Sequence, residues 1–301
     1  MNRALPTLGI VAANELSDSI RSRRVIVMFL LYLAGAMGAT ALFITFLHSI
    51  EGQLVQTLGL DAPKDAGSVT ATLWKSKPFR DLLSHLIGDK KLAETLLDVP
   101  PLALFYGWLS CAFTPLLVML TASARISEEI ASGSIRFVLF RAGRAPWLLG
   151  KFAGQAAQIF VALILSALGA WLIGWFRMTG YDGWPTAYHM LWFAVKAWLY
   201  SLPFLGLALG ISQLCAIPNL ALAFGFMSLV TASVLTSLSA WLAGDGWRRL
   251  WDLVNVLTPA AHRQALWWND AEHLVPATVF LLTLSALYLF AGYARFVRRD
   301  L

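Results

Sequence analysis

Charged side chains are scarce in this sequence: Lys, Arg, Asp and Glu make up only 13% of its 301 residues, whereas 58% are hydrophobic. The mean hydropathy is +0.66. Soluble globular domains carry about 25% charged residues. The composition therefore excludes an ordinary water-soluble protein and indicates a chain that lies mostly within a lipid bilayer.

Cysteine is almost as rare, with two residues in the chain. Cys111 and Cys215 both lie in long apolar runs, and their spacing resembles neither a disulfide framework nor a metal site. We interpret both as small core residues.

Catalytic motifs are missing as well. No Gly-x-x-x-x-Gly-Lys-Ser/Thr phosphate loop is present, because Gly150-Lys151 lacks the upstream glycine and is followed by Phe152. No His-Glu-x-x-His zinc helix or Gly-x-Ser-x-Gly elbow occurs. The five histidines are scattered: His48, His85, His189, His262 and His273. We expect a non-enzymatic protein that holds no metal or cofactor of its own.

Long apolar segments are what the sequence has instead. A bilayer core of about 30 Å needs roughly 20 apolar residues in helical form, because backbone amides must be paired within lipid. Six segments meet this requirement: 25–47, 101–123, 148–174, 188–212, 217–243 and 274–294. The sequence predicts an all-α, polytopic membrane protein whose single transmembrane domain covers residues 1–301.

Lys and Arg are unevenly distributed between the segments that join these spans. If both termini are cytoplasmic, the inside segments hold twelve basic and five acidic residues, and the outside segments 48–100, 175–187 and 244–273 hold ten basic and twelve acidic ones. The positive-inside rule favours this orientation, in a cytoplasmic (inner) membrane. Anionic lipid then explains the net charge of +6, and we expect no nucleic-acid partner.

Three flanking regions have patterns of their own. Residues 1–24 are predicted to form an amphipathic helix on the cytoplasmic surface, with Leu8 and Ala12 on its apolar face and Glu15 on the other, although a frayed tail is the alternative. The external segment 48–100 has leucines at helical intervals, typical of a cap or of a packed loop. Segment 244–273 contains an apolar stripe that ends at Thr258-Pro259, which fits an interfacial helix or a re-entrant element.

The segment between the second and third spans, 124–147, mixes charges with apolar residues at helical spacing. It predicts two short helices hinged at residues 132–134. Gly133 can adopt the left-handed conformation that ends the first helix, and Ser134 can cap the second. The second helix should end at Gly143, and Pro146 suits the first turn of the next span. We expect a stiff elbow that can transmit force.

Here the chain resembles the type 2 ABC permeases, the membrane subunits of many ATP-binding-cassette exporters. Their pattern has an acidic residue, Gly-Thr or Gly-Ser, an apolar run, a turn with arginine, and Leu-Leu-Gly-Lys before the third span. This chain supplies Glu129, Gly133-Ser134, Val138-Leu139, Gly143-Arg144 and Leu148-Leu149-Gly150-Lys151. It departs at Ala142, where the family usually has proline, so a looser turn is expected.

The resemblance implies a permease subunit, two copies of which pair with two ATPase subunits that use ATP and Mg²⁺. It implies that residues 125–144 contain the coupling helix, that 1–24 is the connecting helix, and that 244–273 is the external gate. The residues expected to couple to the ATPase are Glu128, Glu129, Ser132, Gly133, Ser134, Arg136, Arg141 and Arg144.

Lys196 is the basic residue that lies well inside a predicted span. A charge near the bilayer midplane is costly, so its side chain should face the bundle interior or snorkel outward, with a place in the translocation path or a purely structural role. Gly150-x-x-x-Gly154 and Gly206-x-x-x-Gly210 allow close helix approach, within the chain by default or at a dimer face.

Two other functions fit some of these features. A non-transporting membrane anchor or scaffold would share the spans, but it need not bind a soluble ATPase. An ion-coupled secondary transporter would have inverted repeats with broken spans and buried acids. No acidic residue lies within the six apolar cores, which disfavours the second alternative.

Overall fold

A computed structural model of the chain describes residues 4–58, 90–178, 182–241, 254 and 256–298. Every regular element within these ranges is helical, and they contain no β-strand. The predicted all-α class is therefore confirmed.

Ten α-helices are described, and we number them in chain order. They are α1 (Ala4–Arg21), α2 (Arg23–Leu58), α3 (Lys90–Leu97), α4 (Pro101–Ala122), α5 (Arg125–Ser132), α6 (Ile135–Ala142), α7 (Arg144–Arg177), α8 (Gly183–Leu214), α9 (Pro218–Trp241) and α10 (Ala271–Val297). Two short 3₁₀ helices, Pro259–His262 and Gln264–Trp267, precede α10.

Six of these helices are long and apolar enough to cross a membrane: α2, α4, α7, α8, α9 and α10. Each coincides with a predicted span, so the prediction of six spans is confirmed. Several helices continue past their apolar cores. For example, α2 runs on to Leu58 and α8 begins at Gly183, because a helix needs no apolar residues once it has left the hydrocarbon.

The fourth span, α8, forms the centre of the bundle and contacts α4, α7, α9 and α10. Helix α2 lies against α7 and α4, and α1 lies along α7. By contrast, α9 is peripheral, and a row of large apolar side chains along it is exposed: Leu220, Phe224, Met227, Val230, Val234 and Leu238.

Glycines allow α8 and α10 to approach closely. A Cβ atom at Gly210 would lie 2.7 Å from the carbonyl oxygen of Tyr288, and one at Gly292 would lie 2.6 Å from the Cα atom of Gly210. A side chain at either position would therefore force the helices apart. The Gly206-x-x-x-Gly210 motif packs within the chain, which was the default interpretation.

The two cysteines differ in their surroundings. Both are free thiols, but Cys111 is buried in α4 whereas Cys215 follows the end of α8 and is partly exposed. Only Cys111 is thus a core residue, because Cys215 lies beyond the packed part of its helix.

The segments predicted to be external are described in part. Residues 82–87 of the expected cap and Trp247, Leu250 and Trp251 of the expected stripe lie outside the described residues. In α3, Leu92 and Leu97 are buried. The segment before α10 folds back onto the bundle, where Leu266 is buried and the Trp267 ring centroid lies 5.4 Å from that of Phe193 in α8.

Candidate functional site

The chain between α4 and α7 forms a helical hairpin of residues 125–143, which we call the polar hairpin. Gly133 ends α5 with φ at +73°, and Gly143 ends α6 with φ at +71°. Side chains with a Cβ rarely adopt this conformation, so glycine is required at both turns. Both predicted helix ends are confirmed.

The predicted cap by Ser134 is wrong. Its hydroxyl makes no capping bond to α6. It lies instead 2.9 Å from the Ser132 hydroxyl and 3.5 Å from the Glu129 carbonyl oxygen, which accepts from it. Because the turn is so tight, Ser134 already has helical backbone angles, and its side chain points back to α5. These serines stabilise the hinge rather than the second helix.

A different span caps the start of α5. The backbone N–H groups of Ile126 and Ser127 each donate to the hydroxyl oxygen of Ser212, near the end of α8, at 3.0 Å. First-turn N–H groups have no partner within their own helix, and a serine oxygen usually satisfies them from the N-cap position. Ser212 does so from 85 residues away in sequence, and it thereby joins the polar hairpin to the central helix of the bundle.

A buried ion cluster provides the second attachment. Lys151, in the first turns of α7, is only 4% exposed. Its ammonium group donates to the Glu15 carboxylate at 2.6 Å and forms an ion pair with the Glu129 carboxylate. Glu15 belongs to α1 and Glu129 to α5, so one lysine links three helices that are remote in sequence. We call these three residues the ion cluster.

Further polar groups surround the ion cluster. Gln155 donates to the second oxygen of the Glu15 carboxylate at 2.7 Å, and Gln158 donates to the Glu15 carbonyl oxygen at 3.2 Å. Arg125 donates to the Ser19 hydroxyl at 3.3 Å. Burial raises the pKa of Glu15, but Lys151, Gln155 and Arg125 lower it, and the net pKa lies below its ordinary value of 4.5. Glu15 is therefore an anion at neutral pH.

Glycines in α7 make this contact possible. A Cβ at Gly154 would lie 2.8 Å from the Cβ of Glu15, and one at Gly150 would lie 2.6 Å from the Cβ of Val11. The Gly150-x-x-x-Gly154 motif thus brings α1 against α7, so that Glu15 reaches Lys151. The expectation that Glu15 lies on the polar face of a surface helix is wrong, because its cationic partner allows the carboxylate to be buried.

Arg144 provides the third attachment. Its guanidinium group donates to the carbonyl oxygens of Phe296, at 3.4 Å, and of Val297, and lies 5.8 Å from the ring centroid of Phe296. The last carbonyls of a helix lack intrahelical partners and carry partial negative charge. Arg144 therefore stabilises the end of α10 and holds it beside the start of α7.

The opposite side of the polar hairpin is exposed. In α6, Ile135 is 1% exposed, whereas Phe137 is 77% and Phe140 is 91% exposed. Arg136 and Arg141 lie on the same exposed part of the helix. Large aromatic side chains presented outside the apolar spans are typical of a surface that binds another protein.

The residues predicted to couple to an ATPase thus fall into separate places. Glu129 turns inward to the ion cluster, while Glu128 lines a small cleft with Arg125. The serines and glycine form the hinge, the two α6 arginines are exposed, and Arg144 contacts α10. The prediction omitted Glu15, Lys151, Ser212, Phe137 and Phe140. For Phe140 a signal exists, since residues 135–140 include more apolar side chains than one helix face can bury.

Lys196 faces the bundle interior, one of the two expected orientations, and is 1% exposed. Its ammonium group donates to the Trp268 carbonyl oxygen at 3.0 Å and to Oδ1 of Asn269 at 2.7 Å. The rings of Trp192 and Phe193 lie 5.7 Å and 5.2 Å away. These hydrogen bonds from Lys196 therefore hold the segment before α10 against α8.

The sequence model of a family described as ABC-2 family transporter proteins matches residues 10–301 of the chain. No curated protein matches the sequence significantly. The family match covers every span and the whole polar hairpin.

Proposed function

Because the chain belongs to the ABC-2 family of transporter proteins, we propose that it is the permease subunit of an ABC exporter, driven by a separate ATPase subunit. It is a multi-pass membrane protein, and membrane proteins of this family generally work with an ATP-binding subunit. The observation that carries the proposal is the polar hairpin, which is attached to the spans on one side and presents two exposed phenylalanines on the other.

In this proposal α6 is the surface that docks on the ATPase. Phe137 and Phe140 insert into a groove of the partner, and Arg136 and Arg141 form the polar rim. ATP and Mg²⁺ are bound by the partner, and this chain contributes no catalytic group.

The three attachments carry movement of the hairpin into the spans. Ser212 connects it to α8, the ion cluster connects it to α7 and α1, and Arg144 connects the start of α7 to α10. When the ATPase subunits close on ATP, the hairpin is displaced and the spans shift together as packed bodies. Rigid-body motion of this kind is a common form of conformational switching.

The same proposal places the polar hairpin and both termini in the cytoplasm, in an inner membrane. The excess of basic residues in the inside segments supports this orientation. Arg136→Cys, in a Cys215→Ser background, should react with a membrane-impermeant maleimide only after the cytoplasmic side is opened. Reaction from the external side would exclude contact with a cytoplasmic ATPase.

We place a second copy of the chain beside α9. Its large side chains Phe224, Met227 and Val230 are exposed along a helix that is only lightly packed against its own bundle. Cross-linking through Met227→Cys should give a covalent dimer, whereas Val279→Cys on the exposed face of α10 should not. The reverse pattern would move the dimer face to α10.

Co-purification tests the ATPase contact. The full chain should bring down a soluble protein that contains a phosphate loop. The double variant Phe137→Ala/Phe140→Ala should weaken that association by about 1,000-fold, since truncating buried aromatic anchors typically costs about 2 kcal/mol or more each and about 1.4 kcal/mol is tenfold in affinity. Phe176→Ala/Phe290→Ala is the matched control, because those rings are 76% and 68% exposed on other helices.

The outcomes distinguish the candidate functions. If the wild-type chain retains no such ATPase, the scaffold alternative replaces the permease. If an ATPase is retained equally by both double variants, the permease assignment stands and α6 is not its docking surface.

A further inference from the structure

A cleft of about 610 Å³ lies between the ends of α8 and α10. It is lined by Gln213, Leu214, Ala291, Ala294, Arg295 and Arg298. It opens at the same end of the bundle as the polar hairpin, because Ser212, the neighbour of Gln213, caps α5, and Phe296, the neighbour of Arg295, accepts from Arg144. The ion cluster and the exposed face of α6 contribute nothing to its lining.

Two exposed cations line this cleft. The guanidinium groups of Arg295 and Arg298 form no ion pair with any residue that the structure describes. Arg295 lies in the last turn of α10 and Arg298 directly follows its end with helical backbone angles, so the two charges lie on the same side of the helix. An anion with several oxygen atoms, such as a phosphate, is the group that paired guanidinium groups bind best.

A buried acceptor completes the polar lining. Gln213 is 1% exposed, and its side-chain nitrogen donates to the Leu209 carbonyl oxygen at 3.2 Å. Its Oε1 atom accepts no hydrogen bond from the described part of the chain. An unsatisfied buried carbonyl is costly, and a ligand hydroxyl can pair with this enclosed oxygen once the side chain turns toward the cleft that it lines.

The remaining lining is apolar. Leu214, which is 50% exposed, and two alanines of α10 continue the cleft along helices that cross the membrane. A free phosphate or a nucleotide would leave this apolar surface in water. A phospholipid covers it with its glycerol and acyl groups while its headgroup meets the arginines, and basic pockets between transmembrane helices bind anionic headgroups in this way.

We propose that this cleft binds an anionic glycerophospholipid of the adjacent leaflet. Arg295 and Arg298 contact its phosphate, and Gln213 accepts a hydrogen bond from a headgroup hydroxyl. The bound lipid bridges the ends of α8 and α10, beside the points where Ser212 connects α8 to the polar hairpin and Arg144 connects α10 to the start of α7. Lipid binding here requires no ATPase, so it can be tested whether or not the permease assignment holds.

Native mass spectrometry of the purified full chain measures this binding directly, with phosphatidylglycerol as the probe and phosphatidylcholine, a zwitterionic lipid without net charge, as the comparison. Arg295→Gln/Arg298→Gln should reduce phosphatidylglycerol retention by about tenfold or more. Arg21→Gln/Arg23→Gln is the matched control, because it removes the same charge from exposed arginines at the junction of α1 and α2. The control should retain the lipid as the wild type does.

Gln213→Leu tests the hydroxyl contact separately. The wild type should prefer phosphatidylglycerol to phosphatidylmethanol, an anionic lipid whose headgroup has no hydroxyl, by several-fold. The variant should bind the two lipids equally while still discriminating against phosphatidylcholine. Intact binding of phosphatidylmethanol by the variant also shows that it has folded.

Several results would overturn the proposal. If both double arginine variants lose phosphatidylglycerol equally, the binding depends on the overall positive charge of the surface and not on this cleft. Competition by millimolar inorganic phosphate would identify a small-anion site, and a lipid-independent dimer that hides these arginines would identify a protein interface. Retention of phosphatidylglycerol no greater than that of phosphatidylcholine would exclude the site altogether.

Discussion

Replacing Lys151 by methionine should expose how the ion cluster is balanced. The substitution keeps much of the side-chain volume but removes the cation that both carboxylates contact. Glu15 is 6% exposed, and the side chain of Glu129 is 28% exposed, so water compensates little of the loss at the first and more at the second. Removing one partner of a buried ion pair costs about 3–5 kcal/mol. We expect Lys151→Met to lose stability in that range.

The decisive comparison adds Glu15→Gln. In the wild type this change removes a charged hydrogen-bond partner of Lys151 and should cost about 1–3 kcal/mol. In the Lys151→Met background it removes an uncompensated buried charge, and the same change should therefore raise stability. The sign of the effect depends on whether the lysine is present, which simple loss of packing cannot produce.

A double-mutant cycle measures this coupling. The purified variants are unfolded in mixed micelles by increasing detergent denaturant, and thermal midpoints provide an independent value. Arg136→Met is the control, since it removes an exposed cation of the polar hairpin and should be nearly neutral. If Glu15→Gln destabilises both backgrounds equally, Glu15 and Lys151 are not energetically coupled and α1 has no ionic attachment to α7.

Three further predictions concern the same region. Burial raises the pKa of Glu15, but the Lys151 cation lowers it, and the net pKa lies below 4.5. The stabilising contribution of the Glu15 carboxylate is therefore complete above about pH 4.5 and is lost as the pH falls through the folded-state pKa. Acid titration of the unfolding midpoint should show this loss in the wild type and not in Glu15→Gln. Gly154→Ala places a Cβ 2.8 Å from that of Glu15 and should cost about 1–3 kcal/mol by the same assay, whereas Gly35→Ala, with open space around it, should be neutral or stabilising. Ser212→Ala removes the cap of α5 and should cost about 1–2 kcal/mol and speed hydrogen exchange at Ile126, while Ser228→Ala, whose hydroxyl donates to the Gly225 carbonyl oxygen in its own helix, should leave that exchange unchanged.

The architecture of the spans follows directly from composition. Each apolar segment is long enough to cross the hydrocarbon, and it must do so as a helix, because no other conformation of a single segment pairs all its backbone groups there. The turns of the polar hairpin were equally predictable, since Gly133 and Gly143 need no neighbour to explain their backbone conformation.

Local sequence patterns did not predict which groups form hydrogen bonds or ion pairs with these side chains. The sequence places Glu15 on the polar face of α1, and this assignment fails because its partner Lys151 is supplied from elsewhere in the chain. The cap assigned to Ser134 fails for a local reason, since the tight turn directs its hydroxyl back to Ser132. A carboxylate is expected at a surface until a lysine 136 residues away neutralises it. In the same way, Ser212 is 86 residues away in sequence from Ile126 in the helix that it caps, so no local pattern predicts the contact.

The amino-acid sequence by itself determined which segments are helices, how many of them span the membrane and where the polar hairpin bends, because these features depend on interactions within one segment and its solvent. Only the tertiary structure decided which face of the hairpin is buried in the ion cluster and which presents Phe137 and Phe140 outward. The physical reason is that burial of a charge depends on its counter-charge, and here the two reach each other only after the helices have packed.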